Sequence, residues 1–214
     1  IAGNNIHNVE YDGSWIVTDT PPGATPPSVI ERNRIALAGW NALELSGAHN
    51  LIVRFNTIAT SAVCISILSS LGVKIENNTI DGLGSDGIII DQASNPLIGK
   101  NIISRILYAV ECIPGASPMF ECNNIYDAYR RYQGCADQTG SNGNIAVDPE
   151  FCGIDDSGNY FLQSDSPCAP GNHPDGYDCG LIGAFEVLCG KVEVLQKSWG
   201  SIKSLYKEGE SHDK

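Results

Sequence analysis

Asp86 and Asp91 lie in the segment GSDGIIID and are the residues of this chain best suited to acid–base work. Cleavage of a glycosidic bond needs two carboxyl groups roughly 5–9.5 Å apart, one to protonate the leaving oxygen and one to act as base or nucleophile. No partner pair is visible in the sequence, and Asp-Gly ahead of an apolar run also makes an ordinary turn. Both are weak catalytic candidates, and no catalytic residue is assigned. Asp155 and Asp156, with Ser157 and Asn159 around Gly158, offer the oxygen ligands that Ca²⁺ prefers. A polar hairpin has the same composition, and Asn172, His173, Asp175 and Asp178 invite the same two readings. The eight cysteines contain no CxxC pair, and no His stands at ligand spacing from a Cys pair, which argues against zinc. No metal and no cofactor are expected.

What would position these side chains is a repeat. The motif Asn-x-Ile places Ile at positions 6, 35, 58, 80, 103 and 125, at spacings of 29, 23, 22, 23 and 22. The long first spacing holds TPPGATPPS, whose prolines and glycine suit an exposed loop. Two residues before each Ile stand Asn4, Asn33, Asn56, Asn78, Asn101 and Asn123, and five before it stand Ile1, Ile30, Val53, Ile75, Ile98 and Phe120. A second apolar column follows in Leu43, Ile65, Ile88 and Val110, with Leu45, Ile67, Ile90 and Cys112 two residues on. That alternation is a strand with one buried face, and SGAHN, SSLG and QASN between the columns are turns. Such a period describes a solenoid in which each coil stacks on the last. Leucine-rich repeats share the Asn and the period. Here, however, Ile outnumbers Leu 24 to 14, and no half-coil has the Leu spacing of a packed helix.

The stacking gives further expectations. A buried amide without partners costs roughly 1–3 kcal/mol, so a row of Asn side chains must satisfy itself as a ladder. Glu31, Arg54 and Glu76 form an outward row of alternating sign, whereas Glu44 and Glu111 share a row but lie three coils apart, too far to chelate one ion. Five residues beyond the repeated Ile stand Tyr11, Trp40 and Tyr108, where a ring face could stack on a sugar or be buried at a turn.

Charge and cysteine content narrow the function classes. Net charge is −12, with residues 135–190 carrying nine acids and no Lys or Arg. A surface this acidic repels phosphate backbones and argues against nucleic acid. No apolar run reaches 18 residues, so no transmembrane segment is expected. Six cysteines between Cys122 and Cys189 point to disulfides and an oxidising compartment. The expected pairs are Cys135 with Cys152 and Cys168 with Cys179, with Cys112 and Cys64 as buried free thiols in the coils. Ile1 falls inside a repeat with no initiator Met, which reads as the C-terminal piece of a longer chain.

Over residues 1–125 the Asn-x-Ile coils resemble the right-handed parallel β-helix repeat family, the pectate-lyase-like group that includes pectate lyases and polygalacturonases. The resemblance implies an all-β solenoid of about 22 residues per coil, with the stacked Asn row inside a turn. GSDGIIID is similar to the carboxylate segment of polygalacturonases, but no Gly-His-Gly and no Arg-Ile-Lys follow it. Residues 126–190, with NIAVDPEFC, SPCAPG and CGLIGA, resemble a Cys-rich module that closes β-helices in large exported bacterial proteins. In residues 191–214, Trp199, Ile202, Leu205 and Tyr206 fall on one helical face among Lys197, Lys203 and Lys207. This reads as a short amphipathic helix or a tail. The expectation is a monomeric, extracellular or surface-exposed scaffold or adhesin, more a binding protein than an enzyme, whose partner is polysaccharide or a cell-envelope component. A polysaccharide lyase or hydrolase with its active coil upstream is the alternative.

Overall fold

The computed structural model describes residues 1–9, 15–16, 26–59, 61–82, 84–154 and 160–190, with the backbone alone for 5–9, 15–16 and 153–154. The chain winds about seven turns of a parallel β-solenoid of about 22 residues per coil, with no helix among the described residues. One face is a five-stranded parallel sheet of β3 (Ser28–Glu31), β6 (Leu51–Arg54), β9 (Lys74–Glu76), β12 (Leu97–Gly99) and β14 (Met119–Glu121), stacked in that order. A second face stacks β1 (Asn5–Val9), β4 (Arg34–Ala38), β7 (Thr57–Ala59) and β10 (Thr79–Asp81) onto the first half of β13 (Ile102–Cys112). The third stacks β2 (Trp15–Ile16), β5 (Asn41–Ser46), β8 (Val63–Leu68) and β11 (Asp86–Ile90) onto the second half of β13. β15 (Asn124–Gln133) follows β13 along its length, so strand pairing continues beyond Ile125 to Gln133. The bend within these two long strands falls at Arg105 and Asp127, both with positive φ (52° and 51°).

The core is made of the repeating apolar columns. Ile35, Ile58, Ile80, Ile103 and Ile125 lie in register and are at most 2% exposed. Ile30, Val53, Ile75, Ile98 and Phe120 form a second column, and Leu43, Ile65, Ile88 and Val110 a third. Each buried Ile contributes roughly 1.5–3 kcal/mol, and β-branched side chains pack without loss on a pleated surface.

The Asn row explains how the sharp turn between the first two faces survives. The residue before each ladder Asn has positive φ: Gly3, Arg32, Phe55, Asn77, Lys100 and Cys122. In a non-glycine residue this costs roughly 1–2 kcal/mol. The amides hold the turn in place. Each Nδ2 donates to the Oδ1 of the Asn in the following coil at 2.8–3.0 Å, from Asn4 to Asn123. Each Oδ1 from Asn33 onward also accepts the backbone N–H of the Asn before it. The last acceptor is Asn144, preceded by Gly143 in the same backbone conformation (φ 73°). A shorter hydroxyl ladder runs through Ser70 and Ser94, whose Oγ atoms accept the N–H groups of Ala48 and Ser70.

The Cys-rich segment both closes the end and lies back along the side. Residues 142–145 add a partial coil: Cys122 N–H donates to Asn142 O, Ile145 N–H to Asn123 O and Ile125 N–H to Ile145 O. A small sheet of β16 (Phe151–Ile154), β17 (Tyr160–Gln163) and β18 (Val187–Cys189) follows. Residues 181–184 then cover the outside of the second face. Asn77 Nδ2 donates to Leu181 O at 2.7 Å, Gly183 N–H to Lys100 O and Ala184 N–H to Thr79 Oγ1. Gly183 has φ 96°, and a Cβ there would come within 2.6 Å of Ile102, so this close approach needs glycine. Ile102, Leu162, Cys168, Cys179 and Ile182 make a small second core beneath it.

The disulfides differ from the expected pairs. Cys112 joins Cys135, Cys122 joins Cys179 and Cys152 joins Cys189, leaving Cys64 and Cys168 as buried free thiols. Neither Cys135–Cys152 nor Cys168–Cys179 forms, and Cys112 is not free. The reason is the solenoid. Residues 23 apart lie one coil apart, which brings the Cα atoms of Cys112 and Cys135 to 5.4 Å. The return of the chain along the side then brings Cys179 to Cys122.

Candidate functional site

The corner where the second face turns into the third brings together Asp81, Asp86, Arg105 and Tyr160. Asp81 ends β10 and is 1% exposed. Arg105, from the next coil, donates Nε to Asp81 Oδ1 at 2.7 Å and pairs Nη2 with Oδ2. Tyr160 of β17 joins them. Burial, and then the Asp81 charge, push its phenol upward, while the hydrogen bond to Asp81 holds the Arg105 guanidinium firmly protonated. Asp81 is therefore committed as an acceptor, and the three side chains join the returning segment to the coils. Cys64 lies close by, its thiol pushed up to about 12 by burial and by the Asp81 and Asp86 charges, so it is neutral and inert.

The two candidate carboxylates have different fates. Asp91 closes a turn: Oδ2 accepts the Ser69 N–H at 2.9 Å, and Oδ1 accepts the Ala93 N–H and the Ser94 hydroxyl. Asp86, in register with Val63 and Tyr108, has a buried Oδ1 without a hydrogen-bond partner. Desolvation raises its carboxyl, opposed by a bond from the Tyr108 backbone.

The aromatic row is corrected by the register. Asn41, Val63, Asp86, Tyr108 and Arg130 are in line, so Trp40 aligns with Ala62, Ser85, Leu107 and Tyr129, not with Tyr108. The corner after the repeated Ile has six steps from Ile35 to Asn41 and five from Ile103 to Tyr108, and fixed counting from Ile misses this. Trp40 and Tyr129 are 65% and 72% exposed. They are separated by four coil steps, about 19 Å at ~4.8 Å per step, with small side chains at Ala62 and Ser85 and the exposed Leu107 between them. Beside Tyr129 lies a groove of about 440 Å³ lined by Gly84, Arg105, Leu107, Asp127 and Ala128. Tyr108 meets the Tyr129 ring edge-on at 6.4 Å, and the Arg130 guanidinium lies 5.9 Å from the ring centre.

Tyr11, Asp155, Asp156 and the segment 191–214 with Trp199 lie outside the described residues. His173 is buried, with Nε2 2.9 Å from Gly143 O, and Asn172 donates to Ser164 O and Ser166 O. Among the described residues, no three His, Cys, Asp or Glu side chains gather as a metal site. In the outward row, Arg54 Nε donates to Glu31 at 2.9 Å.

Several residues of the ladder and of this corner escaped the sequence reading. Asn144 lacks the spacer of Asn-x-Ile, although it stands 21 residues after Asn123 and behind a glycine. Asp81 and Arg105 could have been paired by writing successive coils beneath one another. Tyr160 had no sequence signal, because the return of the chain brings it there.

A family model described as a right handed beta helix region matches residues 1–159. Neither comparison with curated proteins nor comparison with solved structures finds a match. With its parallel coils, its register and its Asn ladder, the chain belongs to the right-handed β-helix family.

Proposed function

We propose that this chain is a non-catalytic scaffold of an exported, surface-exposed or adhesin-like protein, and that it binds polysaccharide along its outer corner. The observation that carries the reading is the row from Trp40 to Tyr129, two exposed rings in one register row with Ala62, Ser85 and the exposed, apolar Leu107 between them. Ring faces stack on the apolar faces of sugars, and a separation of about 19 Å, from four steps of ~4.8 Å, spans several pyranose units. Engagement of the neighbouring acids in structural bonds, Asp81 with Arg105 and Asp91 in its turn, favours binding over hydrolysis. Three disulfides favour an oxidising, extracellular setting.

A glycan array tests the reading. The protein should retain oligosaccharides of several units, and Trp40→Ala or Tyr129→Ala should each lower affinity by roughly two- to ten-fold. Absence of any bound glycan, or binding by both variants equal to that of the parent protein, would remove the case.

The alternative, a polysaccharide lyase or hydrolase, is favoured by one observation: the raised, partly desolvated Asp86 carboxyl. It requires product release from acidic polysaccharides that Asp86→Asn abolishes. Activity unchanged by that substitution would exclude Asp86 as its acid.

A further inference from the structure

A cleft of about 860 Å³ lies away from the corner, at the C-terminal end of the five-stranded sheet. One wall is β14 and the other is the loop of residues 134–142, with the Cys112–Cys135 disulfide and Phe120 lining it between them. Among the described residues β14 is the last strand of its sheet and pairs only with β12. Its hydrogen bonds settle which groups face the cleft. Met119 N–H donates to Pro96 O and Glu121 O accepts from Lys100 N–H, so residues 119 and 121 turn their backbone to β12. In a parallel ladder alternate residues bond to opposite sides. Phe120 therefore turns its N–H and C=O to the cleft, as Cys122 does, and the Cys122 N–H is already taken by Asn142 O. The sheet thus continues by one bond into the loop and then stops, leaving the place of one further strand open.

We infer that this cleft is a docking site for an extended peptide segment that adds to β14 as a parallel strand and carries an apolar residue followed by Lys or Arg. The apolar residue follows from the column below it, Ile30, Val53, Ile75, Ile98 and Phe120, which the added strand would extend by one rung. The base follows from the adjoining outward row of Glu31, Arg54, Glu76, Gly99 and Glu121. In that row Arg54 is paired with Glu31 at 2.9 Å, whereas Glu121 ends the row exposed and has no ion pair among the described residues. Met119, 62% exposed beside it, adds apolar surface to the rim. An edge strand with free backbone groups is a ready template for such addition.

The chain contains the pattern itself in Val53-Arg54, so a synthetic peptide of residues 50–56, NLIVRFN, is the probe. Calorimetry should show it binding the oxidised protein, and hydrogen exchange should show the Phe120 amide newly protected. The same peptide methylated at the backbone nitrogen of its Arg, the N–H that would donate to Phe120 O, should not bind. Glu121→Lys, a change at an exposed position, should weaken binding by about two- to five-fold, and replacement of the peptide Arg by Glu should do the same. Binding that leaves Phe120 unprotected or tolerates the N-methylated peptide would overturn the assignment. Concentration-dependent self-association that occupies the cleft without added peptide would overturn it in favour of a second copy. Failure here leaves sugar binding at the Trp40–Tyr129 row untouched, because the two sites share no residue.

Discussion

Between Ile30 and Ile125 the chain is held by side chains that recur every coil, whereas between Cys135 and Cys189 it is held by contacts that occur once. In the coils, one Asn per turn satisfies both its own amide and the turn it sits in, and the Ile columns bury one another. In the Cys-rich segment the second core is small, and two disulfides, Cys122–Cys179 and Cys152–Cys189, tie together what apolar burial does not. Regular repetition makes backbone satisfaction a local matter. A segment that folds back over a finished surface has no repeat to copy, so it relies on crosslinks and on single fitted contacts such as Gly183 over Ile102.

The largest effect should come from cutting the crosslink that joins the two regions. Cys122 and Cys179 are 57 residues apart, and a loop of that order is worth about 4 kcal/mol in the chain-entropy model. Replacing both by Ser should loosen the returning segment first, seen as faster amide exchange at Leu162 and Ile182 while Ile80 and Ile103 stay protected. Equal loss of protection in coils and cap would show that the two regions do not separate as described.

A smaller effect, still more than about 3 kcal/mol, is expected for Asn78→Ala. The Asn78 amide donates to Asn101 Oδ1, Val53 O and Glu76 O and accepts from the Asn56 backbone and side chain, all in buried surroundings. Asn4→Ala, at the exposed start of the ladder, should cost about 1 kcal/mol or less. Urea unfolding of the two variants measures the contrast, and equal costs would mean that the ladder is not cooperative.

The smallest effect concerns Asp86. Its carboxyl is raised in the folded state by desolvation, so folding favours the protonated acid. That contribution is complete below the unfolded value of about 3.9 and is lost as pH rises through the folded value. Asp86→Asn should therefore gain stability over the parent at pH 7 and gain least near pH 3. The same gain at both pH values would mean that ionisation is not its source.

The coils were legible in advance because their signal is local and repeated. Ile, Asn and the β-branched columns recur at nearly one period, and a period that buries one face admits only a stacked solenoid. The disulfide pattern and the aromatic row were not legible for the same physical reason. Cys112 and Cys135 look unrelated until the coil places them one above the other, and one extra corner residue between Ile35 and Asn41 moves Trp40 out of line with Tyr108 and into line with Tyr129. What the amino-acid order alone determined is the coil, its period and its Asn ladder, since each depends on neighbours along the chain or one turn away. What only the tertiary structure decided is where the Cys-rich segment lies, which acid Arg105 and Tyr160 engage and which strand edge stays open. Those depend on a chain that returns over its own surface, and no repeat encodes that path.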